Sequence, residues 1–164
     1  MGRKMENVNK QSQEGLKELN EARGEGGRAL GEVRSMAEIA DSLPSDVDEE
    51  ILDAAQLVRE GARSEANSFM QSDVSSRVEA GRDAMDSAND QAGEQVERNR
   101  ETIGAFRQMD GVSDFGKGAR AEGVGRAETM IDQYQEIMET NTEQVNDTLD
   151  DFRRQVDEIN DLLG

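Results

Sequence analysis

The longest unbroken pattern in the chain covers residues 45–109, SDVDEEILDAAQLVREGARSEANSFMQSDVSSRVEAGRDAMDSANDQAGEQVERNRETIGAFRQM. Its apolar positions recur every three, four or seven residues, which is the spacing that one face of an α-helix requires. We expect this face to pack, and it includes Val47, Ile51, Val58, Phe69, Val74, Met85, Val96 and Phe106. No proline interrupts it, and acidic residues follow Ser45, the expected N-cap. The pattern predicts one helix of about 95 Å, at about 1.5 Å per residue, and therefore an elongated protein.

A heptad pattern occupies residues 124–163, where apolar positions alternate steps of three and four before a shift near the end. This alternation is typical of a coiled-coil seam. The predicted seam residues are Val124, Ile131, Tyr134, Met138, Val145, Phe152, Val156 and Ile159. Asn141 and Thr148 also fall on the seam, and polar residues there fix the register of the helices at some cost in stability.

The two remaining segments are rich in glycine. Residues 110–123 are expected to form a hinge, and residues 4–43 a weaker helix in which Gly24, Gly26 and Gly27 favour a kink or a break. No strand pattern occurs. The sequence therefore predicts an all-α fold: an elongated antiparallel helical hairpin or coiled-coil bundle with a third, N-terminal helix, forming a single domain over residues 1–164.

Composition argues against most catalytic chemistry. The chain has neither Cys nor His, so we expect no catalytic residues, no cofactor-binding residues and no metal ligands, and we expect the protein not to be an enzyme. Its 37 Asp and Glu against 19 Lys and Arg give a net charge of −18, which disfavours nucleic acids and anionic membranes as partners. With no signal-peptide pattern, we expect a protein that is cytoplasmic, or secreted without a cleaved signal peptide.

Basic residues gather around the predicted hinge, in contrast to the acidic remainder. Arg107, Lys117 and Arg120 lie there together with Phe115, which belongs to no periodic stripe. Phe115 either caps the end of the bundle or presents an apolar contact to a partner. We therefore predict these four residues as candidate contacts to a protein partner or to another copy of the chain.

Two long helices joined at Phe115-Gly116-Lys117-Gly118 resemble, over roughly residues 45–163, the Trp-x-Gly and LXG-type helical modules of type VII secretion. The resemblance implies a non-enzymatic hairpin that dimerises or pairs with a partner and travels with a toxin or targets it. The chain departs from the family in two ways: it has no Trp, and it lacks the export signal Tyr-x-x-x-Asp/Glu, because Met138 occupies the fourth position after Tyr134 where the signal has Asp or Glu. The segments LPSDVDEEILDAAQ and RQMDGVSDFG are also similar to helical regions that precede toxin domains in Gram-positive bacteria.

These observations favour a non-enzymatic helical protein–protein interaction module, acting as a secretion-associated partner or leader hairpin for a toxin. Two alternatives remain open at the level of sequence. One is a self-assembling coiled-coil or scaffolding protein, and the other is an acidic inhibitor that mimics nucleic acid.

Overall fold

The computed structural model describes residues 2–109 and 116–163. It contains the four α-helices α1 (Arg3–Asp41), α2 (Glu49–Phe69), α3 (Ser75–Gln108) and α4 (Lys117–Leu163). The protein is 94% helical with three helical stretches packed together, and the described residues contain no strand. This confirms the predicted all-α bundle with a third, N-terminal helix.

Helices α2 and α3 are joined without a loop. Met70–Val74 between them form a π-helical turn, in which the N–H of Ser75 donates to the carbonyl of Met70, five residues earlier. The chain is therefore helical without interruption from Glu49 to Gln108. The predicted start at residue 45 is wrong, because the extended backbone of Asp48 (ψ 144°) makes it the N-cap.

The first compact unit comprises Met1–Leu16 and Asp83–Gln144. Its buried core draws on α1, α3 and α4 and consists of Met5, Val8, Ala88, Ala92, Val96, Ile103, Ile131 and Tyr134. Helices α3 and α4 run antiparallel here, since Asn89 contacts Asn141 whereas Arg107 contacts Glu128.

The second compact unit comprises Lys17–Arg82 and Val145–Gly164. Its core consists of Ala22, Leu30, Val33, Met70, Val74, Val78, Ile159 and Leu163. Helices α1 and α4 run parallel, as the ion pairs Arg23–Asp151 (3.3 Å) and Arg34–Glu158 (2.6 Å) show. The prediction of a single elongated domain over residues 1–164 stays a prediction.

The predicted break in the N-terminal helix is wrong, because α1 is continuous through Gly24, Gly26 and Gly27. Gly26 is buried, and a Cβ added to it would meet the side-chain amide of Gln155 in α4, which would have to move. Glycine at this position leaves room for that amide between the two helices. Packing therefore compensates the helix penalty of about 1 kcal/mol that glycine carries relative to alanine.

Of the predicted hinge over residues 110–123, residues 110–115 lie outside the described residues, and residues 117–123 are helical because α4 begins at Lys117, next to Gly118, one of the two points where the sequence allowed the helix to restart. Gly116 adopts a positive φ of 72° immediately before the helix, and its carbonyl accepts a 2.8 Å hydrogen bond from the N–H of Arg120. Gly123 then lies inside α4 against Phe106, whose Cε2 would be 3.2 Å from an added Cβ. Packing again makes a glycine compatible with a helix.

Candidate protein-interaction surface

The described residues show no metal-binding cluster and one shifted tyrosine pKa. Among residues 2–109 and 116–163, no set of three or more His, Cys, Asp or Glu side chains could hold a metal ion. Burial raises the pKa of Tyr134 above its ordinary value of 10.0, in the core of the first unit. No helix in the part of the chain that the structure describes is long and apolar enough to cross a membrane. That the protein is not an enzyme stays a prediction.

Three of the four predicted partner contacts come together in the first unit. Arg107, Lys117 and Arg120 line a cleft of about 310 Å³, beside the ring of Phe106. Nη2 of Arg107 lies 3.4 Å from Oε1 of Glu128, which lines the same cleft. The fourth predicted contact, Phe115, lies outside the described residues.

The predicted seam on α4 faces other helices of the same chain. Ile131, Tyr134, Val145 and Ile159 are buried, and Val124, Met138, Phe152 and Val156 are half-buried. Val124, Ile131, Tyr134 and Met138 belong to the core of the first unit or pack against it. Val156 and Ile159 do the same in the second unit. These side chains are thus engaged within the chain.

Polar residues occupy three seam positions at intervals of seven: Asn141, Thr148 and Gln155, all of them buried. Nδ2 of Asn141 donates to Oγ of Ser12 (2.8 Å) and to Oδ1 of Asn89 (3.1 Å). Buried amides with specific partners permit one alignment of neighbouring helices, because a shifted alignment would leave the amides without partners.

The apolar face of α2 behaves differently from the expected packed stripe. No residue of α2 is buried, and Ile51, Leu57 and Val58 are 52%, 69% and 65% exposed. The expectation that Ile51 and Val58 pack like the rest of the stripe is therefore wrong. No other helix of the second unit covers them.

A groove in the second unit leads to these exposed residues. Helices α1 and α2 run antiparallel, with Nη2 of Arg59 lying 3.5 Å from Oδ1 of Asp41. They enclose a groove of about 390 Å³ lined by Arg28, Ala29, Glu32, Val33, Met36, Ala62, Glu65, Ala66 and Phe69. Arg34, Arg63 and Asn67, which bond to α4, do not line it.

Residue spacing continues both walls of this groove. On α1, residues 29, 32, 36 and 39 follow one another in steps of three and four, and Leu43 lies two residues after the helix ends at Asp41. On α2, residues 69, 65, 62, 58 and 51 are spaced by four, three, four and seven. Such residues share one face of a helix. We call the lining residues together with Ile39, Leu43, Ile51 and Val58 the α1–α2 groove.

Exposed apolar residues are concentrated along the α1–α2 groove. Met36 and Ile39 on its α1 wall are 45% and 66% exposed, and Leu43, just after the end of α1, is 39% exposed. Ile51 and Val58 lie on the face of α2 that forms the other wall. Single exposed apolar side chains are ordinary on protein surfaces, whereas a contiguous set marks a site of interaction. The α1–α2 groove is therefore the strongest candidate surface among the described residues.

No family model matches the chain, and neither a curated protein nor a solved structure matches it. The resemblance to secretion modules thus stays a prediction. The case for function rests on the chemistry of the α1–α2 groove.

One signal in the sequence could have revealed the groove. Ile51-Leu52 and Leu57-Val58 are adjacent apolar pairs, and adjacent residues on a helix are about 100° apart. A helix that packs along a single narrow seam buries only one residue of such a pair. They widen the apolar face and indicate a second contact surface.

Proposed function

We propose that the chain is a non-enzymatic helical protein–protein interaction module that binds its partner at the α1–α2 groove. The observation that carries this proposal is the set of large apolar side chains that continue both walls of the groove. Five of them, Met36, Ile39, Leu43, Ile51 and Val58, are between 39% and 66% exposed.

The energy available from this surface suits reversible binding. Complete burial of a Val, Leu, Ile or Met side chain contributes about 1.5–3 kcal/mol. Because the five side chains are roughly half exposed, covering them would contribute on the order of 5 kcal/mol before the cost of association. Because association itself costs about 4–15 kcal/mol, stable binding also needs the contacts that the partner makes around these side chains.

We further propose that this module acts as a secretion-associated partner or leader hairpin for a toxin. The support is the resemblance of residues 45–163 to helical modules of type VII secretion. A neighbouring gene for a toxin or a secretion ATPase would add support. Without such a neighbour in any genome that carries the gene, this part of the proposal fails while the binding function stands.

The binding function is tested by affinity capture from the native source, followed by mass spectrometry. The bait is the full chain as wild type, Met36→Ser or Met109→Ser. The two methionines are matched, since they are 45% and 48% exposed and only Met36 lines the groove. We expect a partner that wild type and Met109→Ser retain and Met36→Ser loses.

Equal capture by all three baits would contradict the α1–α2 groove as the binding surface. Large polymers in light scattering would favour the scaffolding alternative. Capture of a nucleic-acid enzyme that is lost when the acidic residues within 127–164 are neutralised would favour the acidic inhibitor.

A further inference from the structure

We infer that the partner of the α1–α2 groove is an amphipathic α-helix whose apolar stripe is flanked by Lys and Arg. This inference rests on the proposed binding function and specifies the chemistry of the ligand. Three properties of the groove support it: the form of its walls, its length and its charge.

The walls select a helix. Both are faces of α-helices, whose backbone N–H and C=O groups are bonded within the helix, so an extended peptide would find no strand edge to pair with. Side chains spaced by three and four residues form ridges on each wall, and such ridges interlock with the side chains of another helix. The groove between two antiparallel helices is therefore shaped for a third helix lying along them.

The length of the walls sets the length of this helix. Residues 29 to 39 on α1 cover about 15 Å, and residues 51 to 69 on α2 about 27 Å, at about 1.5 Å per residue. A helix of about 18 residues would cover the longer wall. It would present apolar side chains at positions i, i+3, i+4 and i+7 toward Met36 and Val58.

The charge around the groove selects basic flanks. Residues 28–69 carry ten carboxylates against four arginines. Three of the arginines are engaged within the unit, where Arg34 pairs with Glu158, Arg59 with Asp41, and Arg63 with Asn160.

Two of the carboxylates, Glu32 and Glu65, line the groove itself, one on each wall, together with the fourth arginine, Arg28. Lys and Arg beside an apolar stripe would reach them and cover apolar surface with their stems.

The same charge argues against a second copy of the chain as the occupant. Two copies joined at this surface would bring twenty carboxylates together against eight arginines, and each complete chain carries a net charge of −18. Like charges held close together cost free energy and slow association. A basic partner would be attracted by the same carboxylates that repel a second copy.

The test uses the full chain and labelled synthetic helices of about 18 residues. The first peptide has Leu at positions i, i+3, i+4 and i+7 with Lys on both sides of the Leu stripe. The second replaces every Lys with Glu, and the third contains the residues of the first in an order that disperses the stripe. Fluorescence anisotropy measures the dissociation constant of each.

We expect the Lys peptide to bind wild type at least about ten-fold more tightly than either control peptide. Raising NaCl from about 50 to about 300 mM should weaken its binding several-fold. Met36→Ser should weaken it about ten-fold, and Met109→Ser should leave it unchanged. The double variant Glu32→Gln, Glu65→Gln should weaken the Lys peptide and strengthen the Glu peptide.

The inference is overturned if the Glu peptide or the dispersed peptide binds as tightly as the Lys peptide, or if the Lys peptide does not bind. In those cases the capture experiment still decides the proposed function independently, through the difference between Met36→Ser and Met109→Ser. A dimer of the chain that Met36→Ser dissociates would identify a second copy as the occupant and would also overturn the inference.

Discussion

Helices α4 and α2 both carry an apolar stripe, but other helices cover the stripe of α2 only at its C-terminal end, at Ala62, Ala66 and Phe69, whereas they cover the stripe of α4 in both units. Ile159 of α4 has 0% of its surface exposed, whereas Ile51 of α2 has 52%. The two residues are chemically identical and each lies on the apolar face of its helix. Periodicity therefore shows which face of a helix avoids water, but not whether the neighbour belongs to the same molecule.

The largest difference in stability is expected when each of these two isoleucines is replaced with alanine. Ile159→Ala should lower the free energy of unfolding by about 2–5 kcal/mol, because it leaves a cavity in a packed core. Ile51→Ala should cost less than about 1 kcal/mol, since its side chain is half in water already. Urea unfolding followed by circular dichroism measures both.

A cost for Ile51→Ala that approaches the cost for Ile159→Ala would break the contrast. It would mean that Ile51 is covered in solution. Repeating the unfolding at several protein concentrations would then show whether a second copy covers it, because the stability of an oligomer depends on concentration.

A second, smaller effect concerns the covering of α4 by α1. Gly24→Ala should raise stability by up to about 1 kcal/mol, because alanine favours a helix and a Cβ there has no neighbour within 4 Å. The stability change for Gly26→Ala should be less favourable than that for Gly24→Ala by about 1–2 kcal/mol. The reason is that the added Cβ displaces the buried amide of Gln155 from the carbonyl of Arg23. Equal effects in thermal unfolding would show that the amide of Gln155 does not occupy the space beside Gly26.

The smallest effect is a shift in the titration of Tyr134, the single tyrosine of the chain. Burial disfavours the phenolate and raises its pKa above 10.0. Because the folded pKa is the higher one, the stability from this group is fully present below pH 10.0 and is lost as pH rises through the folded pKa.

Absorbance near 295 nm should therefore show ionisation above pH 10.0 in the folded chain and near pH 10.0 in urea. Identical titrations in the two states would indicate that this part of the α4 stripe is open to water.

Much of the fold could be predicted because the chain has few competing signals. Regular apolar spacing and a single proline permit long helices, and the spacing on α4 identified residues such as Tyr134 and Ile159 that are buried. The predicted helix break near Gly26 was wrong because local propensity disfavours glycine within a helix. The role of Gly26 depends instead on Gln155, which is more than a hundred residues away in the sequence. Propensity describes a residue and its neighbours in sequence only.

The candidate site was harder to predict, for a related reason. The sequence indicated Arg107, Lys117 and Arg120, because clustered charges are visible locally, and the structure brings them to one cleft. It did not indicate Met36 and Val58 as partners across a groove, because that depends on how α1 and α2 align and on which side α4 lies. Tertiary packing determines both.

The π turn at Met70–Val74 gives the chain one residue more than an uninterrupted α-helix would have at this point. Because the widened turn absorbs this residue, the residue adds length without adding rotation to the helix on either side. Deleting Ser72 would therefore leave an ordinary α-helical turn and keep Val58 and Asn67 in their present orientations. Deleting a residue of α2 between Val58 and Asn67 would instead rotate these two residues by about 100° relative to each other, at the expense of either the groove or the contact with α4.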